Sequence, residues 1–480
     1  MNIYFSVYLG SAVISLLITP LVIRLAYRIK AVDRPGVRTV HTRPIARIGG
    51  VAIFITSVLI IFAVILLDKN ISSVLQEIRI KLITLFFSAS CIFLVGLVDD
   101  LRGLPARFKF LVEILVAAIL CFTGIRITSI SITEYFHWNL GLMGFPLTIL
   151  WIVGITNAVN LSDGLDGLAA GISAVACGVM AIFAVYDGNA IMAVLMLALL
   201  GSLCGFLFYN FNPARIFLGD SGSLFLGFVI ASTSVLCSMK SSALVGLALP
   251  VLALGIPIFD TLFSMLRRFL ERRSMFSPDR SHFHHKLIDL GIRQRHVVLL
   301  IYIMTILSAG LGLFMIDTHD ISSLIVFFCI LLLLLLAFQL VGSVKLREIV
   351  TGLQKKFEIS SQRKHEETSF EQAQLYFRNA HTFTQWWDAV CEAAQRMDFA
   401  WVSLKTKEPN GTISTEVWRA TNLDLDPSKI IVMTVPINGN GTKRFHEFEI
   451  AITIKGSYES AGYRATLFNR LIDEYSLINV

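Results

Sequence analysis

Charge is what this sequence has little of: charged residues make up 16% of its 480 positions, against 55% apolar. Soluble domains average about 25% charged residues, so a wholly soluble chain is excluded. Cysteine provides no metal or disulfide framework. None of the seven stands in a CxxC or Cys/His spacing. Cys91, Cys121, Cys177, Cys204, Cys237 and Cys329 lie in apolar runs and Cys391 in the polar tail, so they read as small core hydrophobes. A P-loop, a GxGxxG turn, an HExxH helix and a Ser/His/Asp set are also missing. The first residues, Met1-Asn2-Ile3-Tyr4-Phe5, lack the basic region of a signal peptide, and their apolar stretch continues to Ala26. A first membrane span is expected there, not a cleaved signal.

The charges that remain are unevenly placed. Residues 1–344 hold 24 Lys/Arg and 17 Asp/Glu, whereas residues 345–480 hold 17 of each sign. The whole +7 net charge therefore belongs to the apolar part. The expected fold is an α-helical multispan membrane protein: a transmembrane domain over 1–344 and a small cytosolic α+β domain over 345–480. A span needs roughly 20 apolar residues. About eleven transmembrane helices are expected, over 3–27, 49–67, 82–98, 109–125, 143–158, 168–186, 190–208, 222–239, 243–266, 297–316 and 321–343. The connections 28–47, 99–109, 159–167, 209–221 and 267–296 carry 18 Lys/Arg, and the alternate connections carry five. By the positive-inside rule the first set and the tail face the cytosol and the N-terminus lies outside. The basic excess thus orients spans against membrane lipid; it is no nucleic-acid footprint. On the outer side, 126–141 reads as a small hairpin.

The polar clusters gather at the cytosolic ends. Asp99-Asp100 closes the third span; the pair can handle a metal or a proton, or be a solvated helix end balanced by Arg102, Arg107 and Lys109. Asn157, Asn160, Asp163 and Asp166 recur every three residues after the fifth span and, if helical, share one face. Gly164 and Gly167 let backbone approach a ligand closely. Asn210 and Asn212 lead into Phe217 and Gly219-Asp220-Ser221-Gly222, where Asp220 stands just before a helix whose free N–H groups favour phosphate. A carboxylate there can also hold a metal on diphosphate oxygens; Phe217 can stack on a base or sit at the interface. Arg280, His282, His284, His285 and Lys286 lie in the most basic loop, which suits a sugar diphosphate or, more simply, anionic lipid. Pro250 and Pro257 interrupt the ninth span ahead of Asp260, and Glu113 is expected to pair locally with Lys109. A transporter needs ionisable groups near the midplane. These lie at the inner ends, which favours chemistry at the cytosolic face, with metal-assisted attack on a diphosphate.

The segments resemble the polyprenyl-phosphate N-acetylhexosamine-1-phosphate transferases, a glycosyltransferase family 4 group. In order they are the Asp99-Asp100 pair, NAxNxxDGxDG at 157–167, NPAxxFxGDxGS at 212–223 and HxHH at 282–285, with Asp33-Arg34-Pro35-Gly36, His41 and Gly49-Gly50 similar to the first cytosolic loop. The resemblance covers about residues 1–340 and itself implies eleven spans with an outer hairpin. It implies a multi-pass enzyme of the inner (plasma) membrane. Polyprenyl (undecaprenyl) phosphate attacks the β-phosphorus of a UDP-N-acetylhexosamine, releasing UMP and starting a lipopolysaccharide or other envelope glycan. It also implies Mg²⁺ or Mn²⁺ on Asp220, and Asp99 and Asp100 at the lipid phosphate. Asn160, Asp163 and Asp166 fall in the nucleotide and catalytic region, Phe217 near uracil and the His loop at diphosphate or sugar; the assembly implied is a homodimer. The muramyl-pentapeptide branch usually carries three consecutive His, whereas Phe283 interrupts them here, which looks like the GlcNAc-1-phosphate branch. Phospho-MurNAc-pentapeptide transfer remains the alternative. A CDP-alcohol phosphotransferase would need a DGxxAR run, and a transporter or receptor signalling through the tail leaves the four clusters unexplained.

In the tail, 345–358 reads as a basic helix and 371–397 as one helix, followed by strands over 399–405, 413–419, 429–437 and 444–455 and a closing helix over 463–477. Asn410-Gly411 and Asn438-Gly439 are turn signals. The element order is distantly GAF-like.

Overall fold

The computed structural model describes residues 2–33, 44–67, 79–133, 136–238, 243–271, 274, 282–314, 321–342, 346–407, 413–420, 429–437, 445–454 and 458–475. The expectations for Arg34, Pro35, Gly36, His41, Arg280 and the two Asn-Gly turns lie outside these residues. The chain divides into two compact units, Met1–Leu346 and Arg347–Val480.

The first unit is helical: α1 (Asn2–Arg28), α2 (Gly50–Leu67), α3 (Arg79–Arg102), α4 (Ala106–Phe122), α5 (Gly144–Leu161), α6 (Leu168–Tyr186), α7 (Ala190–Asn210) and α8 (Gly219–Ser238), then α9 (Ala243–Ala253), α10 (Gly255–Leu270), α11 (Phe283–Asp289), α12 (Gln294–Phe314) and α13 (Ile321–Leu340). Among the described residues eight helices are long and apolar enough to cross a membrane, or up to nine if one bent pair counts as a span. Their outward stripes are apolar. On α1, Phe5, Leu9, Val13, Leu17 and Leu21 recur every four residues and are exposed, an arrangement that suits lipid and not water.

The bent pair falls where the ninth span was expected, over 243–266. Its two helices, α9 and α10, meet at 78°. Pro250 lies inside α9, and Pro257 falls in the first turn of α10, where a missing N–H has no intrahelical acceptor to lose. Against α9, β3 (Ser129–Thr133) and β4 (Phe136–Asn139) form an antiparallel hairpin with Ile130 opposite Trp138.

The centre of this unit is α8, buried along nearly its whole length against α2, α3, α5 and α6. Glycine makes the closest approaches. A β-carbon on Gly96 of α3 would meet the backbone of Asp220 and Ser221, and one on Gly50 of α2 would meet Ser221 and Gly222. The start of α8 is therefore wedged between two helix backbones.

The second unit places α14 (Leu346–Arg378), α15 (Phe383–Arg396) and α16 (Tyr458–Glu474) with one four-stranded sheet. The sheet runs in the order β6-β5-β8-β7, all antiparallel, with β5 (Phe399–Lys407), β6 (Ile413–Arg419), β7 (Ile430–Ile437) and β8 (Phe445–Thr453). The single helix expected over 371–397 is two helices. Thr382 is the N-cap of α15 and accepts a hydrogen bond from the Gln385 N–H, so the chain restarts there. Trp386, Phe399, Phe448 and Phe468 are fully buried in one core. Arg464 is buried too, and its guanidinium donates to the carbonyls of Met397 and Thr453 at 2.7 and 2.6 Å, closing α16 onto the C-cap of α15 and the end of β8.

Trp386 also donates its indole N–H to the Tyr475 carbonyl at 2.6 Å. Replacing it with alanine removes a large buried ring at a cost of about 3–5 kcal/mol. Limited proteolysis of the full chain should then cut Trp386→Ala rapidly within 347–480 while 1–346 stays resistant. Equal cleavage of variant and wild type would contradict this core.

Candidate active site

The site begins at the end of α3. Asp100 is buried and its carboxylate accepts the backbone N–H of Asp220 at 2.9 Å and of Ser221 at 3.0 Å, as well as the Ser221 hydroxyl at 2.6 Å. Those amides belong to the first turn of α8, which lacks intrahelical acceptors and carries the positive end of the helix dipole. The sequence reading placed Asp220 just before a helix with N–H groups free for phosphate. Asp220 instead stands inside the helix, and two of those N–H groups are already taken by Asp100. Arg47 Nε lies 3.4 Å from Asp100. Residues near Arg47 come from β1 (Val32–Asp33) and β2 (Ile45–Ala46), an antiparallel pair. The chain after β2 is laced to the approach to α8: Phe217 N–H donates to the Ala46 carbonyl at 2.7 Å, and Gly49 N–H to the Phe217 carbonyl at 3.0 Å.

Asp99 turns the other way. It accepts the Leu104 N–H and, at 2.8 Å, the Lys109 ammonium; the same ammonium lies 2.5 Å from Asp220. Lys109 was expected to pair with Glu113. The lysine has two stronger partners across the α3–α4 turn and on α8, and Glu113 accepts instead from the Asn157 amide. Lys109 was expected among the cations that balance Asp99-Asp100, and it does reach Asp99; what sequence reasoning missed is its contact with Asp220, which makes it a site residue.

The row Asn157, Asn160, Asp163, Asp166 does not continue one helical face. α5 stops at Leu161, Ser162 is its C-cap, and Gly167 has φ +79°, which no helix tolerates. Asn160 on α5 donates to the Ser223 hydroxyl at 2.8 Å. Asp163, in the turn, lies beside the Gly219 N–H; burial, with Asp220 and Asp100 nearby, pushes it up to about 8. Asp166 faces a different segment and accepts from the Asn212 amide at 2.9 Å and the Ala214 N–H at 3.0 Å. Asn210 is buried and donates to the Ile216 carbonyl at 2.8 Å, bracing its own loop. Phe217 is half-buried. Asp99, Asp100, Asp163 and Asp220 therefore converge, while Asp166, Asn210 and Asn212 shape the loops around them.

The histidines form a second group. The His282 and His284 rings stack 5.8 Å apart, and His284 and His285 lie 4.4 Å apart. His282 Nδ1 is 3.0 Å from Asp260. Burial holds His284 down at about 4, against the pull of Asp260, so it is neutral at pH 7. Its Nε2 is buried without a hydrogen-bond partner among the described residues. A β-carbon on Gly164 would stand 2.7 Å from that nitrogen, so the histidines reach the Asp163–Asp166 turn.

With Asp163 protonated at pH 7, Asp99, Asp100 and Asp220 against one ammonium and one guanidinium still leave the α3–α8 junction with excess negative charge. Its donors are hard oxygens, which fits a divalent cation completed by phosphate and water. Among the described residues no group of three His, Cys, Asp or Glu is ready to hold a metal without such help.

Residues 82–238 match the family described as glycosyl transferase family 4. A Bacillus subtilis protein named a probable undecaprenyl-phosphate N-acetylglucosaminyl 1-phosphate transferase is 44% identical over 300 residues, which is 62% of this chain and 80% of that one. A Mycobacterium leprae decaprenyl-phosphate N-acetylglucosaminephosphotransferase is 34% identical, covering 62% of this chain and 79% of its own. A Moorella thermoacetica phospho-N-acetylmuramoyl-pentapeptide-transferase is 37% identical over 46% of this chain and 72% of its own. With the matched residues spanning the α3–α8 junction and four fifths of the Bacillus relative covered, the chain belongs to glycosyl transferase family 4.

Proposed function

We propose that this protein transfers GlcNAc 1-phosphate from UDP-GlcNAc to polyprenyl (undecaprenyl) phosphate and releases UMP. The observation that carries this is the junction itself: Asp99 and Asp220 arrive from two helices to share one lysine, and Asp163 comes from a third segment beside Asp220 and Asp100. A lipid-phosphate oxygen forms a bond to the β-phosphorus, and the bond from that phosphorus to the oxygen bridging to the α-phosphorus breaks, leaving UMP. Asp220, with Asp99 beside it, would hold Mg²⁺. Such a cation supplies neutralisation of the diphosphate oxygens. Lys109 and Arg47 orient anionic groups at the same place, and Asp100 keeps the start of α8 rigid. Asn157, held by Glu113, and Asn160, held by Ser223, offer amides at the rim. His282, His284 and His285 face the sugar diphosphate. GlcNAc is favoured over phospho-MurNAc-pentapeptide because the relatives named for GlcNAc cover more of both chains.

In this reading α4, the bent pair and α13 complete eleven spans, with the N-terminus outside and the site at the cytosolic face of the plasma membrane. Its support is that segments of the basic set of connections, at Arg47, Asp100, Asp163, Gly219 and His284, meet one another. The product would start a cell-envelope glycan. The second unit would serve regulation, docking or stabilisation outside the enzyme core; the 62% of this chain that matches the Bacillus relative leaves room for such a part.

Purified full-length protein should release UMP from UDP-GlcNAc when polyprenyl phosphate and Mg²⁺ are supplied; no UMP from any member of a UDP-sugar panel would sink the reading. Asp220→Asn should lower kcat by about 100-fold or more, and chelation should abolish turnover until Mg²⁺ is restored. An unaffected Asp220→Asn enzyme would refute the metal assignment. A chain ending at residue 344 should keep activity within about threefold of the whole protein. Loss of activity in a truncated chain that still reaches the membrane would make the second unit part of the enzyme core.

A further inference from the structure

α10 is polar on its inner side. Asp260, Thr261, Ser264 and Arg268 fall on one stripe and are exposed by 7% or less, whereas Leu262, Phe269 and Met265 are exposed by 54%, 50% and 38%. Asp260 is the member of that stripe whose two oxygens reach a neighbouring element. Oδ1 accepts the Phe283 N–H at 2.8 Å, and Oδ2 lies 3.0 Å from His282 Nδ1 and 4.0 Å from His284 Nδ1. Phe283 is the first residue of α11, and His282 is its N-cap but makes no side-chain cap bond. The cap is supplied from α10 by Asp260. Packing fixes the register: the Phe283 ring stacks on Phe338 of α13 at 4.3 Å, and Phe338 also meets Phe259 and Phe263 of α10 at 6.1 and 5.9 Å. Asp260 follows Phe259 directly, so this aromatic seat brings its carboxylate under the start of α11.

A carboxylate only accepts hydrogen bonds, so the proton shared with it sits on His282 Nδ1 and leaves Nε2 as the ring nitrogen for other partners. We propose that Asp260 is the positioning residue of the histidine loop. It sets the tautomer of His282 and pins the start of α11, so that His282 and His284 are held as a fixed pair beside the Asp163–Asp166 turn. The chemistry this serves rests on the transferase reading above; the positioning itself does not.

Two substitutions separate the roles. Asp260→Asn keeps an oxygen for the Phe283 N–H but turns an amide donor toward Nδ1, forcing the His282 proton to the other nitrogen. Asp260→Ala removes both. With full-length protein in lipid nanodiscs, Asp260→Asn should lower kcat for UMP release by about 100-fold, with KM for polyprenyl phosphate within about twofold of wild type. The double variant Asp260→Asn with His282→Asn should be no slower than His282→Asn alone, within about twofold. Tryptic cleavage after Lys286, which lies in α11, should match wild type in Asp260→Asn and be at least about fivefold faster in Asp260→Ala. A wild-type kcat in Asp260→Asn, multiplying effects in the double variant, or unchanged cleavage in Asp260→Ala would each overturn the proposal. If wild type releases no UMP, the transferase reading falls. Faster cleavage of Asp260→Ala would then still support the positioning, and equal cleavage would overturn it.

Discussion

The first turn of α8 has no water to turn to. The helix is the buried axis of its unit, wedged at its start between Gly50 of α2 and Gly96 of α3, and its leading N–H groups need acceptors from protein. Asp100 supplies them. An orphaned buried donor costs about 1–3 kcal/mol, so a single carboxylate that accepts two amides and a hydroxyl decides whether α8 can begin where it does. The negative charge faces the positive end of the helix dipole, and Arg47 lies alongside it. Everything else in the site is placed relative to that turn: Asp220 reaches Lys109 because α8 starts at Gly219, and Asp163 lies beside the Gly219 N–H for the same reason.

The adjacent carboxylates Asp99 and Asp100 therefore have opposite work. Successive residues on a helix diverge by about 100°, so one cannot serve the same partner as the other. Asp100 is consumed by structure, whereas Asp99 shares a lysine with Asp220. The division explains how two neighbouring anions coexist at one helix end: each meets its own donors, and the repulsion between them is offset by a separate cation on either side.

Much of this was legible in the sequence because it is local. Hydrophobic runs mark the helices, the Pro250 and Pro257 interruptions mark the bent pair, and 126–141 reads as a hairpin. The polar clusters, too, stand out against an apolar background. What was not legible depends on tertiary contacts. Lys109 sits 111 residues from Asp220, and nothing in its surroundings distinguishes that partner from Glu113, four residues away. The occupied N–H groups of α8 belong to backbone, which carries no sequence signal. The Asn157–Asp166 row followed a helical period, yet the helix stops at Leu161 with Ser162 as its C-cap, and Gly167 at positive φ caps the start of the next one. In the second unit the break before Thr382 was hidden by continuous helical periodicity, and a polar cap overrode it.

The inner polar stripe of α10 also bears on how the bundle is built. A helix that hides Asp260 and Arg268 while showing Leu262 and Phe269 is an inside-out amphipath, poorly suited to entering lipid alone. An isolated aspartate or arginine at membrane depth is expensive, so α10 gains stability there only once other helices offer its stripe a lining. Pro250 and the 78° bend after it leave α9, which is apolar throughout, free to enter first. Asp260 finds its partners at the start of α11, which follows α10 in the chain, so this part of the stripe is sheltered only once later residues have joined it.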